Sequence, residues 1–174
     1  MISASRTYLL FVLTSLVVVA PVNAQSLWGG TEYGMSLEQV RTAIPNATPP
    51  SQADHLADGS QELLRLENVE IVRTTFSAKF FFKTGKLSQV TLTWKKGQTF
   101  WSAMLVYKEL MEALRAKYGA EITRDVQRGV LNMATATWLS GRTNINLFAA
   151  SVGEDDAVLN VNYQVRVARD ADKL

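Results

Sequence analysis

The sequence has 174 residues, with 18 basic and 16 acidic side chains and a net charge of +2. This near balance gives no case for a nucleic acid as partner, because nucleic-acid-binding proteins concentrate basic charge on one surface. The chain contains no cysteine, which excludes disulfides and thiolate metal sites. It has one histidine and neither a Gly-x-Ser-x-Gly nor a Ser-x-x-Lys motif, so nothing in it indicates serine-based catalysis.

Residues 1–24 have the pattern of an export signal. Arg6 precedes an apolar run from Tyr8 to Ala20, and the Val-Asn-Ala tripeptide that ends at Ala24 has the small residues that signal peptidase requires. We expect cleavage after Ala24 and a periplasmic or secreted mature protein without stable membrane insertion. An uncleaved N-terminal anchor is the alternative, although the apolar run is shorter than the ~20 residues that a spanning helix needs.

A short helix is predicted near the start of the mature chain. Ser36 and Gln39 form a capping box, and Pro45 ends the helix after about two turns. A helix of that length is not stable alone, so it must pack against the rest of the domain. Trp28 lies just before it, where its ring either packs in the core or, as a tentative binding residue, stacks on a ligand.

The segment from Asn46 to Gln61 is predicted to be a mobile loop. It has two prolines and many small polar residues but no apolar periodicity. It carries the single histidine, His55, with Asp54 before it and Asp58 after it. A histidine among carboxylates is typical of a proton shuttle or a weak metal site, so His55 is a tentative functional residue. Because a metal centre needs more preorganised ligands, we expect no metal.

A run that alternates in hydrophobicity from Leu66 to Lys83 predicts a strand, and the turn at Thr84-Gly85 predicts a hairpin. One face of the strand is apolar and predicts the core side, with Phe76, Ala78, Phe80 and Phe82. The other face carries Lys79, Phe81 and Lys83. This second face is either a solvated sheet surface or a docking surface for an acidic or phosphorylated partner, with Phe81 as its apolar centre.

The segment from Thr99 to Gly119 predicts the long helix around which the fold is organised. Its apolar residues recur at helical spacing, Thr99 is the expected N-cap, and Gly119 is the expected C-terminal stop. Three further runs with strand periodicity follow, at 131–139, 142–151 and 158–167. They predict antiparallel strands whose apolar face packs against the helix.

The complete pattern predicts the α+β class, with one short and one long helix packed on an antiparallel sheet. We expect a single domain over residues 25–168 and a frayed tail at 169–174. The halves 25–97 and 98–168 each have a helix followed by strands, which is typical of a duplicated helix-plus-meander unit.

The run GMSLEQV at 34–40, followed by a short helix that ends at Pro45, resembles the helix opening of small cell-envelope proteins of the outer-membrane assembly lipoprotein and β-lactamase-inhibitor-protein type. The predicted doubled layout also resembles the inhibitor. The resemblance implies a non-enzymatic binding module that contacts another protein through its sheet faces or loops. The chain lacks the lipidated cysteine of the lipoprotein and the disulfides of the inhibitor, so no contact residue is carried over from either.

The sequence leaves three functional hypotheses open. The first is a non-enzymatic binding protein of the cell envelope with a protein partner, which it contacts through the sheet face around Phe81 or through the loop at 46–61. The second is a small hydrolase of envelope polymers that uses His55 and nearby acids. The third is a carrier of a small apolar ligand held between helix and sheet. We expect no cofactor, and the oligomeric state stays open.

Overall fold

The structure is a computed structural model, and it describes residues 25–94, 99–129, 131–153 and 156–166. The export signal predicted at 1–24 and the frayed tail predicted at 169–174 lie outside the described residues. Neither helix of the described part of the chain has the length and apolar character needed to cross a bilayer.

Two helices and seven strands form the described part of the chain. The helices are α1 (Leu37–Ala43) and α2 (Phe100–Tyr118). The strands are β1 (Gln61–Ile71), β2 (Thr74–Lys83), β3 (Lys86–Trp94), β4 (Thr123–Gln127), β5 (Met133–Ser140), β6 (Thr143–Ser151) and β7 (Ala157–Val165). They make one antiparallel sheet in the order β1-β2-β3-β7-β6-β5-β4. The predicted α+β class with an antiparallel sheet is confirmed.

Side chains cap both helices at the predicted residues. Ser36 Oγ accepts a hydrogen bond from Gln39 N at 3.3 Å, and Gln39 Oε1 accepts one from Ser36 N at 2.8 Å, which completes the capping box of α1. Thr99 Oγ1 accepts a hydrogen bond from Ser102 N at 3.2 Å and caps α2. Gly119 ends α2 with a φ of 84°, a left-handed conformation that glycine adopts without steric cost.

One hydrophobic core lies between the two helices and one face of the sheet. α2 buries the stripe predicted for it and packs against β5, β6 and β7, whereas α1 packs against β3. The last strand buries its predicted apolar face, at Leu159, Val161, Tyr163 and Val165. Val167, predicted as the end of that face, lies outside the described residues. Because both helices pack into the same core, they cover the same face of the sheet.

The run predicted as one strand from Leu66 to Lys83 is in fact part of two strands. β1 and β2 are joined by a turn at Val72 and Arg73, whose φ angles are 46° and 59°. Positive φ at both central residues suits the twist of a two-residue hairpin, but Asn or Gly normally occupies such positions. Val-Arg carries no such signal in the sequence, and the prediction of a continuous strand was wrong.

The sequence also gives no signal for β4. This strand pairs with β5 from Thr123 opposite Thr137 to Gln127 opposite Met133, at one edge of the sheet. All five of its residues are exposed. Without an alternation of buried and exposed positions, a strand has no hydrophobic periodicity to detect.

Candidate functional site

The face of the sheet opposite the two helices, which we call the outer face, carries amide and hydroxyl side chains on its central strands. The strand register places Thr91, Asn162, Asn146 and Thr137 side by side across β3, β7, β6 and β5. The adjacent rows add side chains of the same kind, at Gln89, Thr93, Thr135, Asn144, Asn160 and Gln164. The outer face is therefore polar but largely uncharged across its four central strands.

Hydrogen bonds fix the orientation of several of these side chains. Gln89 Nε2 donates to Thr91 Oγ1 at 2.9 Å, and Thr91 Oγ1 donates to Asn162 Oδ1, also at 2.9 Å. Further along the same row, Asn146 Nδ2 donates to Thr137 Oγ1 at 3.3 Å. Gln89 and Thr91 are buried, at 9% and 6% exposure. These bonds direct the amides before any partner binds.

Asn160 lies in the row next to Thr91 and Asn162, and its carbonyl group lacks a hydrogen bond. Its Oδ1 atom is buried and has no partner among the described residues. An unsatisfied buried polar atom costs about 1–3 kcal/mol. Such atoms are rare in folded proteins, where buried polar groups normally have a hydrogen-bond partner in the protein, in ordered water or in a ligand.

The mobile loop was predicted over 46–61; Gln61 is the first residue of β1, and the remaining segment, 46–60, lies along the sheet edge and is hydrogen-bonded to β1. Thr48 and Arg65 exchange two backbone bonds of 2.9 and 2.8 Å, and Glu62 N donates to Asp54 O at 2.9 Å. Glu62 is 1% exposed and its carboxylate binds Arg65 through two bonds of 2.6 and 2.7 Å. Glu62 also accepts from Asp54 N at 3.0 Å. The ion pair lies within β1, and the bond from Asp54 N to its carboxylate connects the segment to β1.

Two ion pairs connect the same segment to β2. Lys79 Nζ lies 2.6 Å from Asp54 Oδ2, and Lys83 Nζ lies 3.7 Å from Asp58 Oδ2. The hydrogen bonds from Ser60, helped by Lys83, lower the pKa of Asp58 below its ordinary value. Both predicted lysines therefore already have carboxylate partners within the chain.

Phe81 lies between these two lysines on the predicted face but is 2% exposed. Phe81 is therefore buried, and the prediction that it forms the apolar centre of an open docking surface is wrong. Leu56 lies between the two aspartates, and both Leu56 and Phe81 line one cavity. Segment 46–60 thus covers a phenylalanine that periodicity alone places on an open sheet face.

His55 is exposed and its backbone forms an isolated bridge with Gln61. The carboxylates of Asp54 and Asp58, which the sequence suggested as partners of the imidazole, are held by lysines of β2 instead. Among the described residues, no group of three or more His, Cys, Asp and Glu side chains could hold a metal ion.

Trp28 lies on the helix side of the sheet and is half-buried against the core. Its ring centroid is 6.4 Å from that of Phe80, with the planes inclined by 52°. Trp28 is thus remote from the outer face. The structure brings together three of the five predicted site residues in one cavity, His55, Lys79 and Phe81, while Lys83 lines a neighbouring one.

The cavity that holds these three residues has a volume of about 460 Å³ and lies where segment 46–60 meets β3 and β7. Its floor is formed by Gln89, Thr91, Asn160 and Asn162, and Trp94 lines one end. Sequence reasoning missed the asparagines of β7, because alternate polar residues in a strand predict only a solvated face. Their alignment with β3 depends on a register that joins residues far apart in the chain.

Comparison of the chain with protein-family models, with curated proteins and with solved structures found no match. The resemblance carried by residues 34–40 therefore stays a prediction.

Proposed function

We propose that this chain is a non-enzymatic binding protein of the cell envelope, exported by residues 1–24, which contacts a protein partner through its outer face. The observation that carries the proposal is the composition of this face. On β3, β7, β6 and β5, the residues of the outer face alternate with the residues of the core. None of these outer-face residues is charged within the ranges Gln89 to Thr93, Val158 to Gln164, Asn144 to Ala150 and Met133 to Leu139. Depletion of charge at the centre is typical of protein–protein interfaces.

Charged side chains occur at both borders of this neutral area. On one side Lys79 of β2 continues the row of Thr91, and on the other Asp125 of β4 continues the row of Thr135. Phe148 and Met133 provide partly buried apolar area inside the border. A neutral centre with a charged rim is the usual anatomy of an interface.

The two alternative functions lack an observation of similar weight. For the hydrolase, the acids next to His55 are held in ion pairs with Lys79 and Lys83. For the carrier, a cavity between the end of α2 and the sheet, lined by Tyr118 and Ile145, has a volume of about 240 Å³. That volume is below the roughly 300–1,000 Å³ typical of ligand pockets.

We also propose that the fold contains the duplicated helix-plus-meander unit that the sequence predicts. The order β1-β2-β3 followed by β7-β6-β5 places the last strand of each half at the centre of the sheet. There β3 and β7 pair antiparallel, with Leu92 opposite Val161. This arrangement supports two meanders related by an approximate two-fold axis, each preceded by its own helix, with β4 as an addition to the second.

An affinity purification from mildly crosslinked source cells tests the proposed partner. We expect one protein to copurify with the tagged wild-type chain in near-stoichiometric amount. Asn146→Arg places a guanidinium in the centre of the outer face and should abolish the copurification. Ala113→Arg places the same group on the exposed side of α2 and should not affect it. Loss with both variants, retention with Asn146→Arg, or the absence of a partner would contradict the proposal; circular dichroism establishes that both variants fold.

Export is tested separately by mass spectrometry of the N-terminus. We expect the purified protein to begin at Gln25 and to fractionate outside the cytoplasm. Ala24→Lys removes the small residue at the cleavage position and should leave the signal attached. A protein that retains Met1 and stays in the cytoplasm would contradict the proposed location.

A further inference from the structure

We propose that the cavity between segment 46–60 and the outer face binds a neutral polyhydroxylated ligand such as a saccharide unit. The cavity measures about 460 Å³, within the range of small-molecule sites. The floor of the cavity belongs to β3 and β7 of the outer face, so the two proposals share part of one surface; they are separated by their tests, which use Asn160 for the ligand and Asn146 for the protein partner. Four features of the cavity support the proposed ligand.

The first feature is the direction of the hydrogen bonds in the floor. Gln89 Nε2 donates to Thr91 and Asn162 Oδ1 accepts from Thr91, each at 2.9 Å. This chain uses the donor of Gln89 and the acceptor of Asn162. Within the described part of the chain, the Oε1 acceptor of Gln89 and the Nδ2 donor of Asn162 stay available for a ligand. An amide with one half already bonded is held in place and presents its other half.

The second feature is the buried carbonyl oxygen of Asn160, which has no hydrogen-bond partner among the described residues. Asn160 lies two residues from Asn162 on the same face of β7 and lines the same cavity. The floor therefore presents an acceptor at Gln89 beside a donor at Asn162, and rotation of the unsatisfied Asn160 amide would bring a second acceptor to the surface of the cavity. A hydroxyl group both donates and accepts, so adjacent hydroxyl groups of a saccharide match this mixture.

The third feature is the charge of the lining. Asp54 and Lys79 both line the cavity, and they form an ion pair of 2.6 Å with each other. A phosphate or a carboxylate ligand would have to compete with Asp54 for Lys79 and would lie against the Asp54 carboxylate. The pairing therefore favours a neutral ligand over an anion.

The fourth feature is the position of the cavity in the sheet. β3 and β7 lie in the interior of the sheet, where their backbone groups are bonded to strands on both sides. A peptide that adds as a strand needs a free sheet edge, which is absent here. Trp94 and Leu56 also line the cavity and provide apolar surface for the C–H groups of a sugar ring. The geometry thus favours a saccharide over an extended peptide.

Solution NMR of the ¹⁵N-labelled protein, expressed from its full sequence, tests this proposal because side-chain amide groups give their own signals. Maltotriose and triacetylchitotriose are titrated separately, each to a final concentration about ten times the Kd of a weak, millimolar complex. We expect at least one of them to shift the side-chain amides of Gln89 and Asn162. Asn160→Leu should weaken binding by about tenfold or more. Asn144→Leu, a matched change on the outer face away from the cavity, should bind as the wild type does.

Three results would overturn the proposal. These are unchanged amide signals with both saccharides, equal affinity in Asn160→Leu, and shifts of the same size with trialanine as the probe. If circular dichroism shows that Asn160→Leu does not fold, Asn160→Ala measures the same loss without added bulk. The partner test uses Asn146, which lies outside this cavity, so each proposal can fail while the other stands.

Discussion

Lys79 Nζ lies 2.6 Å from Asp54 Oδ2, and this ion pair joins a sheet lysine to a segment that arrives from 25 residues earlier in the chain. Four residues further along β2, Lys83 pairs with Asp58 at 3.7 Å. The two aspartates are four residues apart in the chain, as are the two lysines. Phe81 lies between the lysines, and Leu56 lies between the aspartates. Together the two ion pairs connect β2 to the segment that forms one wall of the cavity for which a saccharide is proposed.

Removal of the Lys79 ammonium should weaken the attachment of this segment. Asp54 is 51% exposed and Lys79 14%, so solvent screens the pair and Lys79→Met should lower the free energy of unfolding by about 0.5–1 kcal/mol. Urea denaturation of Lys79→Met, Asp54→Asn and the double variant measures the coupling. Strictly additive losses would show that the two charges do not stabilise each other.

The ion pair between Glu62 and Arg65 should matter much more for stability. Glu62 is 1% exposed, and Arg65→Met would leave its carboxylate buried without a cation, at a cost of about 3 kcal/mol or more. Arg65→Met combined with Glu62→Leu should regain part of that loss. The control is Arg41→Met, which removes the exposed partner of Glu38 and should cost less than about 0.5 kcal/mol. Equal losses from Arg65→Met and Arg41→Met in urea denaturation would contradict this ranking.

The helices and the core could be predicted from the sequence because their signals are local. Ser36 and Gln39 are three residues apart, and the buried stripe of α2 repeats within one segment, so periodicity and capping identify both elements. The face of each strand was predictable for the same reason. Phe81 was placed on the correct face by alternation, but alternation does not show which distant segment covers that face.

The candidate site depended on long-range pairing and could not be predicted. Thr91 and Asn162 are separated by 71 residues, yet their side chains are bonded because β3 pairs with β7. A shift of that register by one residue would exchange the two faces of β7. The burial of Glu62 could not be predicted either. An acidic residue is expected to be exposed unless it is known to be paired, and the sequence does not show that Glu62 is paired with Arg65.

The turn between β2 and β3 should accept a stabilising substitution. Thr84 has a φ of 47° and Gly85 a φ of 73°, and Asn-Gly is the preferred pair for such a turn. Thr84→Asn should raise the free energy of unfolding by about 0.5–1 kcal/mol, since a β-branched residue is strained at positive φ. Gly85→Ala should lower it by about 1–2 kcal/mol. Thr75→Asn, an exposed position within β2, is the control and should not stabilise; a stabilisation equal to that of Thr84→Asn would refute the turn explanation.

The acid limit of stability should depend on Glu121. Arg115 binds its carboxylate through two bonds of 2.6 and 2.8 Å, and these bonds lower the pKa of Glu121 from 4.5 to about 2. Because the pKa is lower in the folded than in the unfolded protein, the pair stabilises the fold fully above pH 4.5. This stabilisation is lost as the pH falls through that window to about 2.

Thermal unfolding followed by circular dichroism across this pH window measures the effect. Glu121→Gln should lower the melting temperature most above pH 4.5, and the difference from the wild type should shrink to nothing near pH 2. Arg115→Met should flatten the same part of the pH profile, because it removes the cause of the lowered pKa. The double variant should then flatten it no further. If Glu121→Gln keeps the slope of the wild type between these two pH values, the Arg115–Glu121 pair is not the group that titrates there.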